Sequence, residues 1–179
     1  MEDSFFKDAL EIFKALTPFI LALIVYLIWH KQKAKEVVAS EAKNTLAILN
    51  SMLNKQIELL NTLYELEFCY LKGADATPYH EKVRNQIDEL VAKNQEIYQS
   101  IMFVCDAKNS LKLQEVASLH YDSIITALRK IRSDYTRHNL IQKESRDEVI
   151  ASRVKHQKII HVSILELKNE MLGFALYKN

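Results

Sequence analysis

The chain of 179 residues has room for one folded domain besides a single apolar segment. With only two Gly and two Pro, the chain has few residues suited to the tight turns of a sheet, and residues that favour helices dominate. The composition therefore excludes a β fold and predicts an all-α one. The net charge of +1 is uninformative as a total, but residues 129–158 carry a net charge of +5 and form the one basic region.

The first predicted element is an apolar segment near the N-terminus. Residues 16–29 (LTPFILALIVYLIW) contain no charged side chain. Fourteen residues of helix span about 21 Å, less than the hydrocarbon core of a bilayer. If the segment starts at Leu10 and Lys14 extends its ammonium to the interface, it reaches about 20 residues, which is enough to cross a membrane.

Three other interpretations of this segment stay open. Thr17–Pro18 could join an amphipathic interfacial helix over residues 5–16 to a short span that starts at Pro18. A buried core helix has a similar length. A cleaved signal peptide is disfavoured, because the flank before the apolar run is acidic and no small-residue cleavage site follows it.

The flanks of the segment predict its orientation. Lys31, Lys33 and Lys35 follow it directly, and Tyr26 and Trp29 suit the interface, so the positive-inside rule places the C-terminal side in the cytoplasm. We therefore expect a single-pass membrane protein with its N-terminus outside. The expected domains are a periplasmic amphipathic segment plus transmembrane helix (1–30), a stalk (31–45) and a cytosolic helical bundle (46–179).

The next predicted element is a long helix over residues 31–72, which Gly73 ends. It carries two adjacent apolar stripes. The first has an eleven-residue period: Leu46, Leu49, Leu53, Ile57, Leu60, Tyr64, Phe68 and Leu71. The second consists of Ile48, Met52, Leu59, Leu63 and Tyr70. This broad face predicts packing against more than one neighbour. Together with Phe5, Phe6 and Phe13, it is expected to supply contacts between subunits.

Three further helices are predicted from caps and apolar periodicity. Thr77 caps the second, Ser110 caps the third, and a capping box from Ser145 to Glu148 starts the fourth. Short connections force successive helices antiparallel, which predicts an up-down four-helix bundle with a turn at residues 107–109 and another at 139–144. Cys69 and Cys105 lie in apolar stretches and are predicted to be buried thiols.

One constellation in the basic region has a spacing that suits chemistry. Arg132 is followed by His138 with Asp134 between them, and an imidazole with a guanidinium could cleave RNA without a metal. The alternative is a solvated basic helix end in which Arg137 and His138 complement the helix dipole.

The other histidines suggest no chemistry. His120 falls on an apolar face and is predicted to be a hydrogen-bonded core residue. His156 and His161 miss the spacing of four that points two imidazoles at one metal, so no metal site and no cofactor are expected. No phosphate loop, nucleophile elbow or carboxylate pair is present, so we expect no enzyme of an ordinary class and no small-molecule substrate.

The combination of one N-terminal span, a cytosolic helical bundle and the Arg132–His138 pair resembles the small membrane accessory proteins encoded beside the RNA-guided RNase of type VI-B CRISPR loci, which have a divergent HEPN-like domain. The resemblance implies a HEPN-like fold with Arg132 and His138 as the catalytic-type pair. It also implies antiviral defence, in which a ring of subunits in the inner membrane forms a pore and lowers the membrane potential once the guided RNase has been triggered.

A pore is compatible with the residues of the apolar segment. One span per chain cannot enclose water, so a homo-oligomeric ring in the bilayer is required. Its inner face is expected to offer Thr17, Tyr26 and His30 as polar groups, with gating by a hydrophobic constriction. The expected pore and membrane residues are Thr17, Pro18, Leu21, Ile24, Tyr26, Ile28, Trp29 and His30.

The resemblance also implies the guided RNase or its RNA product as a partner beyond the ring. Two alternative functions remain: a membrane-tethered HEPN ribonuclease, and a non-catalytic anchor that docks a cytosolic partner.

Overall fold

The computed structural model describes the backbone of residues 2–176 and the side chains of residues 11–176. Every regular element in that part of the chain is an α-helix, so the predicted all-α class is confirmed. The helices are α1 (Glu2–Lys72), α2 (Thr77–Lys108), α3 (Leu111–Asp134), α4 (Arg137–Ile141) and α5 (Lys143–Ala175). The chain divides into two compact units, with the boundary between Val38 and Ala39.

Helix α1 runs without a break through Thr17 and Pro18. Pro18 has no N–H to donate to the carbonyl of Lys14, and the hydroxyl of Thr17 donates to the carbonyl of Phe13 at 2.7 Å. The two-helix alternative with a break before Pro18 is therefore not formed. The side chains of Phe5 and Phe6, which were expected to supply subunit contacts, lie outside the described side chains.

The second unit is a bundle in which α1 packs on α2 and on α5. In the side-chain contacts between α1 and α2, residue numbers rise along α1 while they fall along α2. The contacts are Thr45–Ser100 at 2.6 Å, Lys55–Glu89 at 3.2 Å and Tyr70–His80 at 2.7 Å. Contacts between α1 and α5 do the same: Asn50–Lys168 at 2.9 Å, Gln56–Gln157 at 3.0 Å and Glu67–Arg153 at 2.9 Å. Both neighbours therefore run antiparallel to α1.

Helix α3 closes the bundle by packing on α2 and α5. Its contact with α2 includes Tyr98–Ser118, and its contacts with α5 are His120–Glu166 at 2.9 Å and Asp134–Ser152 at 2.5 Å. Residue numbers rise along α3 as they fall along α5, and a second contact between Gln95 and Tyr121 shows the same for α2, so both neighbours run antiparallel to α3. His120 is buried and bonded to Glu166, and Cys69 and Cys105 are buried thiols, as the apolar pattern predicted.

The core face of α1 differs from the main predicted stripe. The fully buried large side chains of α1 are Leu49, Met52, Leu59, Leu63 and Leu66. Four members of the eleven-residue stripe are at least half exposed instead: Ile57, Tyr64, Phe68 and Leu71. The second stripe faces the bundle, because a helix with two adjacent apolar stripes can turn only one of them fully toward its neighbours.

The helix ends agree with the sequence in two places. Gly73 follows α1 with a positive φ of 68°, and the Ser110 hydroxyl accepts from the N–H of Leu113 at 3.3 Å. Thr77, in contrast, is already helical, and Ala76 takes the N-cap position. Asp75 supplies the cap chemistry from outside, since its carboxylate accepts from the N–H of Thr77 at 3.0 Å.

The region between α3 and α5 was predicted incorrectly. Residues 137–141, expected to include the last helical residues and a turn, form the separate short helix α4. Helix α5 starts at Lys143 with Gln142 as its N-cap, so Ser145 lies inside the helix and does not start a capping box. The reason is that α3 ends early, at Asp134, where Tyr135 leaves the helical conformation and its buried hydroxyl donates to Glu67.

Candidate functional site

The most distinctive surface of the chain is the apolar part of α1. Thirteen large apolar side chains between Ile12 and Trp29 are exposed, and they point in every direction around the helix. Burial of one such side chain contributes roughly 1.5–3 kcal/mol, and a helix that is apolar all round is normally covered by protein or lipid. Among the described residues, α1 is the one helix long and apolar enough to cross a membrane, and its apolar window has no buried residue.

The continuous helix distributes the expected pore residues over different faces. At about 100° per residue, Thr17, Leu21, Ile24 and Ile28 lie on one face, because they are spaced by three and four residues. Tyr26 is nine residues from Thr17, which is two and a half turns. It therefore lies on the opposite side of the helix from Thr17.

His30 lies beside Tyr26, one turn further on. The two rings are edge to face with centroids 5.4 Å apart, and Trp29 contacts the His30 ring at 6.1 Å. The prediction that Thr17, Tyr26 and His30 share one inner face is therefore wrong. The aromatic group formed by Tyr26, Trp29 and His30 has the composition of an interface belt, and Lys31 follows it directly.

Arg132 and His138 lie on different helices. Arg132 is in the last turn of α3, where its guanidinium donates to the carboxylate of Asp88 on α2. His138 is exposed on α4. In the described part of the chain no hydrogen bond joins the two side chains, and Asp88, a residue that the spacing argument did not include, is the partner of the arginine.

Other basic side chains of residues 129–158 are also engaged. Lys130 pairs with Asp134 at 2.6 Å, and Asp134 accepts a second hydrogen bond from Ser152. Arg153 is buried and pairs with Glu67. The basic region is therefore less positive toward solvent than its sequence indicates, since carboxylates of α1 and α2 take up part of its charge.

The arrangement around Glu67 was not predicted. Its carboxylate accepts from Arg153 Nε at 2.9 Å and from the Tyr135 hydroxyl, and the Arg153 guanidinium lies 4.2 Å from the centroid of the Tyr64 ring. Burial and the hydrogen bond to Glu67 raise the pKa of Tyr135, so its hydroxyl stays protonated and remains a donor. We call these four residues, Tyr64, Glu67, Tyr135 and Arg153, the Glu67 cluster.

The sequence carried one signal for the Glu67 cluster. Glu67 and Arg153 each occupy a position where the apolar period of their helix predicts a core residue, and a charge at such a position requires a partner. The arrangement is structural, because its polar groups satisfy one another beneath the surface.

A second cluster of polar side chains lies at the start of α2. The Tyr70 hydroxyl and His80 Nε2 are 2.7 Å apart, and Arg137 of α4 lies close enough to act on both electrostatically. Burial, with a contribution from Arg137, lowers the pKa of His80. This end of the bundle therefore holds a neutral imidazole beside an arginine.

The sequence matches no family model and no curated protein, and the fold matches no solved structure.

Proposed function

We propose that the chain is a membrane-anchored protein that assembles into a ring, forms a pore and depolarises the bacterial inner membrane. In this proposal it is an antiviral, CRISPR-associated effector that enhances an RNA-guided RNase. The observation that carries the proposal is the apolar helix between Ile12 and Trp29, which none of the described residues covers. Such a surface requires lipid or further copies of the same helix around it.

The flanks of the helix support the proposed orientation. Lys31, Lys33 and Lys35 are exposed at the C-terminal end of the apolar segment, and Lys33 pairs with the nearby Glu36 at 3.1 Å. Positive charge at this end favours a cytoplasmic bundle and an external N-terminus.

A pore requires several copies, because a single helix cannot enclose water. In a symmetric ring, the face with Thr17, Leu21, Ile24 and Ile28 would line the lumen with three apolar rings and one hydroxyl ring. Such a lining gates by dewetting, whereas the opposite face with Tyr26 and His30 would contact lipid or the neighbouring helix.

The proposed fold type is an up-down four-helix bundle of the HEPN-like kind, formed by residues 46–72 of α1 together with α2, α3 and α5. The antiparallel contacts between neighbouring helices support it. In this interpretation Arg132 and His138 are the remnant of a HEPN pair. The guanidinium of Arg132 pairs with Asp88, and in the described part of the chain no hydrogen bond joins it to His138, which favours a pore over a ribonuclease.

The test is reconstitution of the full-length chain in lipid vesicles that hold a potassium diffusion potential, followed with a potential-sensitive dye. We expect the potential to collapse, with a steep dependence on the ratio of protein to lipid because several chains must assemble. The double variant Arg132→Ala, His138→Ala is the matched control and should depolarise the vesicles as the wild type does.

Two results would favour the other functions. Cleavage of single-stranded RNA by the wild type, absent in the double variant, would indicate a tethered ribonuclease. Inserted protein that leaves the potential intact would indicate a passive anchor for a cytosolic partner.

A further inference from the structure

The outer apolar stripe of α1 in the bundle is exposed in the described part of the chain, although its Tyr64 ring contacts the Arg153 guanidinium. Ile57, Tyr64 and Phe68 lie on it, each at least half exposed, while Leu59 and Leu63 of the same helix are fully buried. Large apolar side chains grouped on an outward face of the bundle indicate an interaction surface.

The stripe has acidic neighbours. Glu65 is exposed beside Tyr64, and Glu58 is exposed beside Ile57. Lys55 is shared between Glu58 at 3.0 Å and Glu89 at 3.2 Å, so it does not neutralise both. The stripe is therefore apolar with a net negative edge.

A complementary surface lies on the other side of α5. A groove of about 380 Å³ runs between α3 and α5, and Leu119, Ile159 and Val162 form its apolar lining. Leu119 is 64 % exposed, the exposed Lys155 and Lys158 give one end of the groove a positive edge, and Glu166 toward its other end pairs with His120.

The charged edges of the two surfaces overlap in height along the bundle. Because α5 runs antiparallel to α1, the contact between Gln56 and Gln157 places Lys155 level with Glu58. The contact between Glu67 and Arg153 lies eleven residues further along α1 and four residues earlier on α5, and it places Lys155 level with Glu65. Lys155 therefore lies between the heights of Glu58 and Glu65, and Lys158 lies about one turn away on the side of Glu58.

We propose that the occupant of the groove is a second copy of this chain, whose α1 stripe docks into the α3–α5 groove of its neighbour. The opposite charges of the two edges, at overlapping heights of the bundle, bring the stripe of one copy onto the groove of another copy with the same orientation. Different patches meet in this contact, so it is head to tail, and such a contact forms a ring when the rotation between copies closes. The proposal rests on the proposed function and specifies its subunit interface.

Charge reversal tests the contact. The full-length chain is purified in detergent and its mass is measured by light scattering for the wild type, for Glu58→Lys with Glu65→Lys, and for Lys155→Glu with Lys158→Glu. Each double variant should lose the oligomer mass and approach one chain per micelle. The variant with all four changes restores opposite charges across the contact and should regain the oligomer.

A matched control distinguishes the contact from a general effect of charge. Glu81→Lys with Glu96→Lys reverses two exposed carboxylates on α2, outside both surfaces, and should keep the wild-type mass. Circular dichroism of every variant identifies any that fails to fold, and the four-change variant then decides between misfolding and a broken contact.

The possible failures have different meanings. An oligomeric wild type whose mass is unchanged by both reversals would overturn this interface and leave the pore proposal intact. A wild type with one chain per micelle would overturn the ring itself, and with it the proposed function.

Discussion

Arg153 on α5 donates from Nε to Oε1 of Glu67 on α1 at 2.9 Å, and the two side chains are only 5 % and 8 % exposed. The Tyr135 hydroxyl donates to the same carboxylate oxygen from the end of α3. One buried carboxylate thus joins three helices near the end of the bundle, and it explains why α3 ends where it does.

We expect Arg153→Met to lower the free energy of unfolding by about 3–5 kcal/mol, because it leaves the Glu67 carboxylate buried with one neutral donor. The measurement is urea unfolding of the full-length chain in detergent, followed by circular dichroism.

The matched control is Arg132→Met, which breaks the exposed pair with Asp88 and should cost about 0–1 kcal/mol. The double variant Glu67→Leu, Arg153→Met removes both charges and should recover most of the loss. Equal effects of the two single arginine changes would contradict the assignment of Arg153 to a buried pair.

The two candidate caps give a second prediction. Ser110→Ala removes the acceptor for the N–H of Leu113 and should lower the free energy of unfolding by about 1 kcal/mol. Ser145→Ala should change it by less than about 0.5 kcal/mol, since Ser145 lies within α5 and Gln142 is the cap. The same unfolding assay compares them, and a larger loss from Ser145 would restore the capping box as the start of α5.

These residues also show how far the sequence predicts the fold. Apolar periodicity and the scarcity of Gly and Pro identify the helices, since both depend on local chemistry. Periodicity does not decide whether Ile57 or Leu59 faces the core, because both stripes repeat at helical spacing and only the positions of α2 and α5 make the choice.

The candidate site was less predictable for the same reason. The interval from Arg132 to His138 is a local property, whereas the partner of Arg132 lies 44 residues away on α2. The early end of α3 depends on the contact between Tyr135 and Glu67, which are 68 residues apart. Long-range contacts of this kind leave no periodic signal, so His138 was assigned to the wrong helix.

The pKa of His80 predicts how the stability of the folded chain depends on pH. Burial, and to a smaller extent the charge of Arg137, lower this pKa in the folded state, and Nε2 of His80 lies 2.7 Å from the Tyr70 hydroxyl. The unfolded chain therefore binds a proton on this residue at a higher pH than the folded chain does. The stability contributed by neutral His80 is complete above the unfolded pKa of about 6.5 and is lost as the pH falls below it.

The comparison of wild type with His80→Gln isolates this contribution, because all other titrating groups are common to both. The urea midpoint of each is measured at pH 7.5 and at pH 5. We expect the wild type to lose more stability on acidification than the variant. Equal losses would show that His80 titrates alike in the folded and unfolded chain.

The membrane assignment of α1 makes the last prediction. Leu21 and Ile24 lie near the middle of the apolar segment, where an arginine costs roughly 2.5–3.5 kcal/mol of insertion free energy. Two such changes exceed what the remaining apolar residues offset in a span this short. The variant Leu21→Arg, Ile24→Arg should therefore be released from cell membranes by alkaline extraction, whereas the wild type stays in the pellet. The control Ile141→Arg places one arginine on a comparably exposed apolar residue of α4 and should leave the chain in the pellet. A wild type that is released as readily as the double variant would mean that another protein surface, and not lipid, covers this helix.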